Sequence, residues 1–171
     1  MLVGRRPVLQ RAVPLRGSDA GVPVVHRRRR RPPRRRRRRR GGGEQVAWDA
    51  GADGYRLPTE AEWEHACRAG TAGARYGRLD DIAWYRANAG ERPRDVGGRA
   101  PNAWGLHDML GNVWEWCWDV YDAEVYGSYR VLRGGGWFDE PWSCRASVRR
   151  RSHPTLRLDD VGLRVARSLS R

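Results

Sequence analysis

Gly105-Leu-His-Asp-Met-Leu-Gly-Asn-Val-Trp-Glu-Trp-Cys-Trp-Asp119 decides how the rest of the chain is read. Trp114, Trp116 and Trp118 alternate with Val113, Glu115 and Cys117, and a period of two marks a strand with two unlike faces. One of those faces is an indole ladder. Just upstream, Gly105, Asp108, Gly111 and Asn112 are turn formers. Two readings stay open for this turn and strand. In one, Asp108, Asn112 and Glu115 converge with backbone carbonyls on a hard cation such as Ca²⁺, which takes several oxygen ligands. In the other, the stretch is a tryptophan-rich core strand entered through a tight turn.

Outward from this stretch, the chain of 171 residues is long enough for one domain with its own core, and its nine tryptophans suit a globular protein. The net charge of +14 is unevenly placed. Residues 1–43 carry 16 of the 34 basic residues and Asp19 as their only acid, so the excess belongs to the N-terminal segment and the remainder is nearly neutral. Every basic residue is Arg, with no Lys, which at the codon level points to a GC-rich genome. The three cysteines, Cys67, Cys117 and Cys144, form no C-x-x-C pair and imply no disulfide framework. No apolar run reaches membrane-spanning length. Arg5-Arg6 is not followed by the apolar core of a secretory signal, so the expected compartment is the cytoplasm and no membrane partner is expected.

Residues 1–43 lack aromatics and include Arg27–Arg31, Pro32-Pro33, Arg34–Arg40 and three closing glycines. Such a composition buries too little apolar surface to offset its ordering entropy, so disorder is expected there. If the segment is a genuine product, clustered Arg makes it an arm for nucleic acid or another anionic surface. The other reading is an out-of-frame translation. Gly4–Pro23, back-translated with permitted codons and read one base later, gives Asp-Asp-Ala-Arg-Tyr-Cys-Asn-Ala-Leu-Ser-Arg-Ser-Glu-Gly-Leu-Thr-Pro-Val-Tyr, a peptide with helical spacing and a turn.

From Val46 the texture is that of a folded domain, taken here as residues 44–171. Thr59 with Glu62 forms a capping box, and Gly70 is the expected stop of a helix whose Trp63, Ala66 and Cys67 share one face. A looped region follows to about Asn102, with Trp84-Tyr85 as its anchor. Tyr129–Trp137 reads as a strand running into a flexible glycine turn, Cys144–Arg149 as an alternating strand, and Val161–Ala166 as a closing strand. Short strands, irregular loops and one or two helices predict an α+β domain. The chain has no dinucleotide fingerprint, no P-loop and no nucleophile elbow.

Arg56-Leu-Pro-Thr-Glu-Ala-Glu-Trp-Glu64, Pro101-Asn-Ala-Trp-Gly-Leu106, Gly111-Asn-Val-Trp-Glu-Trp116, Arg133-Gly-Gly135, Cys144-Arg145 and Gly162-Leu-Arg164 occur in that order. Together they resemble the formylglycine-generating enzyme, or sulfatase-modifying factor, family over roughly residues 46–167. The resemblance implies a C-type lectin-like variant with little regular secondary structure. It also implies a structural Ca²⁺ held by Asp108, Gly111, Val113 and Glu115, partly through backbone carbonyls, which favours the cation reading of the turn. Family enzymes oxidise a sulfatase cysteine to formylglycine with copper on two thiolates five residues apart, and soft thiolates suit Cu(I). Here the second thiolate matches Cys144 but the first position is Asp139, and Gly136 stands where a serine is usual. Trp114, which lines the family's active site, is present.

Copper is therefore not expected, and two functions follow from the resemblance: a degenerate oxidoreductase-type domain of formylglycine maturation, or a non-catalytic module that binds a ligand, protein or peptide on the same fold. A nucleic-acid partner is expected only if the Arg-rich segment is genuine. The family also carries, upstream of its Arg-Leu-Pro-Thr-Glu motif, a Trp-Asp-Asp-Ala-x-x-Tyr-Cys-Asn helix and a Gly-Leu-Thr-Pro-Val-Tyr turn. The shifted-frame peptide matches that pattern, so the expectation is a domain with an incomplete N-terminal part.

Overall fold

The computed structural model describes residues 46–49 and 51–168. The readings of residues 1–43 lie outside these.

Helix α1, Glu60–Arg68, forms where its local signals place it. Thr59 Oγ1 accepts the Glu62 N–H, and Glu62 returns a carboxylate to the Thr59 N–H at 2.8 Å, which satisfies two orphan donors of the first turn. Arg56 grips the same carboxylate in a fork at 2.6 and 2.7 Å and holds Glu62 down at a pKa of about 2. The stop is one residue earlier than expected. Ala69 takes the left-handed conformation at φ 43° and donates to His65 O, ahead of Gly70. Asn102 then donates through Nδ2 to the free carbonyls of Ala66 and Cys67, and so closes the C-terminal end of α1 from a distant loop.

Strand β2, Trp114–Val120, is central to a four-stranded sheet. It pairs antiparallel with β3, Arg130–Arg133, which pairs antiparallel with β4, Arg149–Ser152. On its other side β2 runs parallel to the short β5, Val161–Gly162. A separate two-stranded sheet joins β1, Tyr55–Arg56, to β6, Ala166–Arg167. Two short helices, α2 at Leu79–Ile82 and α3 at Ala123–Tyr126, sit in the connections. This is an α+β arrangement, as expected. No helix among the described residues is long and apolar enough to cross a membrane.

The expected alternation along β2 is present, but the indole side is fully buried only at Trp114. Trp116 and Trp118 are half-buried, whereas Glu115 and Cys117 on the opposite face are fully buried under α1. Trp63 and Cys67 pack there with Met109, Leu110, Val131 and Cys144. Three other expectations need correction. Cys144–Arg149 is a turn-rich loop, closed by bonds such as Arg145 N–H to Ser143 O, and its strand begins only at Arg149. The closing strand splits into β5 and β6 because Arg164 leaves the strand path to reach Glu115. The glycine turn is packed, not flexible: a Cβ on Gly134 would lie 3.2 Å from both Met109 O and the Trp63 ring.

Gly111 fixes where the 84–99 region meets the core. Its φ is +76°, and a Cβ there would stand 2.3 Å from Trp84 O. Asn112 N–H donates to that same carbonyl at 2.7 Å, and its side chain pairs with both backbone groups of Arg94. Gly111→Ala should therefore lower stability by about 2–4 kcal/mol, read as a shift in urea midpoint, because it combines backbone strain with a steric clash. A second outcome concerns acid. The Glu62 carboxyl is lower in the folded chain than its ordinary 4.5, so its stabilisation is present above that value and is lost as pH falls toward about 2. Over that window the wild type should lose more stability than Glu62→Gln; equal slopes in urea titrations would contradict the Arg56–Glu62–Thr59 arrangement.

Candidate functional site

Trp114, Asp139 and Cys144 meet at the loop that follows β3. The loop leaves the sheet through Gly134 and Gly135, both at positive φ, and Gly134 O accepts the Gly111 N–H at 2.9 Å. Trp137 N–H donates to Asn112 O at 2.7 Å, so the start of the loop is sewn to the turn before β2. Asp139 folds back on it. Its Oδ2 accepts Trp114 Nε1 at 2.6 Å and the Gly136 N–H at 2.8 Å. A Cβ on Gly136 would lie 3.2 Å from the Trp114 ring and 3.3 Å from Asp139 Oδ2, so a serine side chain there would need its neighbours to shift.

Cys144 is fully buried and free, as are Cys67 and Cys117. Burial, reinforced by the Asp139 charge, pushes its thiol up to about 12. As it stands in the chain it is therefore a neutral thiol at ordinary pH and a poor nucleophile. Arg75 holds the loop from beneath, donating to Cys144 O at 2.8 Å and to Pro141 O. Arg86 holds it from the side, with its N–H on Asp139 O at 3.0 Å, an ion pair to Glu140 at 2.9 Å, and its guanidinium over the Phe138 ring. The fixed loop displays Phe138 and Trp142, which are 58% and 64% exposed.

Sequence reasoning gave no role to Arg150, Asp160 or Arg164. Arg150 pairs with Asp160 at 3.1 Å and lies over the Trp114 indole, while Asp160 O accepts the Trp114 N–H at 2.7 Å. Arg164 meets both oxygens of Glu115, at 2.6 and 2.9 Å, and Trp63 Nε1 donates to the same carboxylate at 2.6 Å. Arg164 also reaches the carbonyls of His107 and Asp108, so it spans the turn and the strand of the expected cation site. Asp108 itself is buried. Its Oδ2 accepts the Gly97 N–H at 2.6 Å, its Oδ1 has no partner, and burial pushes its carboxyl upward. Two clues pointed to Arg164: its place in the Gly162-Leu-Arg164 motif and the glutamate in a core strand, since a buried acid calls for a buried base.

The sulfatase-modifying factor enzyme 1-like domain family matches residues 26–169. Among individual proteins, the chain is similar to the chaperone protein LppX of Paenibacillus barcinonensis, at 34% identity over 147 residues, covering 72% of this chain and 52% of that protein. It is also similar to the formylglycine-generating enzyme of Streptomyces coelicolor, at 34% identity over 146 residues, covering 66% and 46%. A solved structure, Treponema denticola variable protein 1, superposes with a TM-score of 0.64 at 38% identity, covering 68% of this chain and 49% of that one. The chain thus spans about half the length of these relatives. With the family matched over most of its length and its motifs assembled around one loop and one strand, the chain belongs to the sulfatase-modifying factor family.

Proposed function

We propose that this chain is a degenerate member of its family, a non-catalytic module on the C-type lectin-like variant of the fold that binds a ligand, protein or peptide instead of oxidising a cysteine. The observation that carries this is the state of Asp139. Where the family resemblance calls for a thiolate, a hard carboxylate is already committed to the Trp114 indole and the Gly136 amide. Cys144 is left as a single buried thiol. One soft ligand beside one engaged carboxylate does not suit Cu(I), which prefers soft thiolates. The residues around Trp114 fit a scaffolding role instead. They hold the 134–144 loop rigid, and a rigid loop showing two aromatic rings loses little entropy when a partner covers it.

A structural Ca²⁺ at the turn is supported by Asp108 alone. Asp108 Oδ1 is a buried acceptor with no donor, whereas both Glu115 oxygens are held by Arg164, which also touches the Asp108 carbonyl. No three His, Cys, Asp or Glu side chains converge among the described residues, so the cation would rely on backbone oxygens of Gly111 and Val113 beside Asp108, and Glu115 would join them only by giving up Arg164. Bound there, Ca²⁺ would neutralise the Asp108 carboxylate that burial disfavours.

Two outcomes are expected. Incubated with Cu(I), a thiol reductant and O₂, the chain should leave a cysteine-containing sulfatase peptide unchanged by mass spectrometry, and Asp139→Cys should gain Cu(I) affinity while losing the Trp114 contact. Conversion of the peptide to the aldehyde by the wild type would overturn the non-catalytic reading. Millimolar Ca²⁺ should raise the melting temperature, more at pH 7 than at pH 5 because protons compete for the raised Asp108 carboxyl, and Asp108→Ala should remove the gain. A melting curve indifferent to Ca²⁺ at both pH values would exclude the site.

A further inference from the structure

Strand β4 is one edge of the four-stranded sheet, and among the described residues no strand pairs with its outer side. Its sequence is Arg149-Arg-Arg-Ser152. Alternation sends Arg150 to the Trp114 face, where Asp160 neutralises it, and sends Arg149 and Arg151 to the face that carries α1. Arg149 is tied to Glu60 at 2.6 Å and lies over the Tyr121 ring at 4.6 Å. Arg151 differs, since no carboxylate among the described residues lies within ion-pair distance of it. Its guanidinium is nevertheless held, 3.8 Å from the Tyr126 centroid and 5.4 Å from that of Tyr121. Behind it Tyr121, Tyr126, Tyr129 and His153 contact one another in series, and Val125 and Tyr129 are exposed beside them.

A cation fixed by ring stacking but lacking a counter-ion is pre-organised for an anion, because little rotamer entropy remains to be lost. The edge it stands on offers unpaired backbone N–H and C=O groups. Arginines on an edge also repel most incoming strands, so the pattern selects for an acidic one. We propose that β4 is a docking edge for an extended acidic segment of a partner protein, which adds as a further strand and sets carboxylates opposite Arg149 and Arg151. Val125 and Tyr129 give its apolar side chains a place to rest. The surface lies on the opposite face of the sheet from Trp114 and does not depend on how the 134–144 loop is used.

The test uses the full chain and two fluorescent peptides of about eight residues, one alternating Glu with Val and one alternating Lys with Val, long enough to span a typical strand. The Glu peptide should bind in anisotropy titrations at low salt, weaken by about tenfold or more at high salt, and slow amide exchange at Arg149–Ser152. Arg151→Glu should abolish its binding, and Arg151→Lys, which keeps the charge but loses the planar stacking, should weaken it less. Arg151 is exposed, so both variants should keep the wild-type fold, read by circular dichroism, with at most a small drop in melting temperature from the lost ring contact. Equal affinity for the two peptides, no binding of either, or binding with protection confined to the 134–144 loop would each overturn the proposal.

Discussion

A carboxylate in the middle of the core dictates much of this structure. Glu115 is 1% exposed, in the central strand, and a lone charge there would cost several kcal/mol, a large share of a typical domain's stability. It is tolerated because three segments distant in sequence converge on it: α1 through Trp63 Nε1, the β5–β6 connection through Arg164, and the turn at His107 and Asp108 through the same guanidinium. Arg133, its cross-strand neighbour, lies over the Trp63 ring and carries the network outward to Glu60 and Glu64. Removing one partner of such a buried pair typically costs about 3–5 kcal/mol, whereas replacing the whole set by apolar groups is often neutral. The network therefore specifies one arrangement of these segments more than it stabilises it.

Such a frame leaves the loop after β3 free to change its chemistry without changing its shape. At position 139 the thiolate of the family pattern would be a soft, polarisable ligand; the carboxylate present is a strong acceptor. Two local donors, an indole N–H and a turn amide, make use of it. Asp139 thereby holds its own loop.

What was legible in the sequence follows from the range of the forces involved. The capping box of Thr59 and Glu62 acts across three residues, so α1 was readable in place. The alternation along β2 was readable too, but its orientation was not. Three large indoles opposite a face broken by a glutamate look like the core side, and only the partners of Glu115 explain why its face is buried along the strand. Cys144–Arg149 alternates because successive side chains of a turn happen to point in and out, not because the backbone is extended. The contacts that build the site, Trp114 with Asp139 and Glu115 with Arg164, span 25 and 49 residues and leave no periodic trace.

The pairing scheme also bears on how the chain reaches this state. Strand β6 closes against β1, matching Arg167 with Tyr55, and β5 supplies the parallel neighbour of β2. Parallel pairing and long closures contribute nothing until late in folding, since the loop entropy must be overcome first. During synthesis, then, Glu115 emerges well before Arg164, and for that interval the central strand holds an acid without its base. Until Arg164 has left the ribosome, Trp63 is the one side chain of the described network that can meet that acid, so the core face of β2 can close in its final form only after the 161–167 stretch is made.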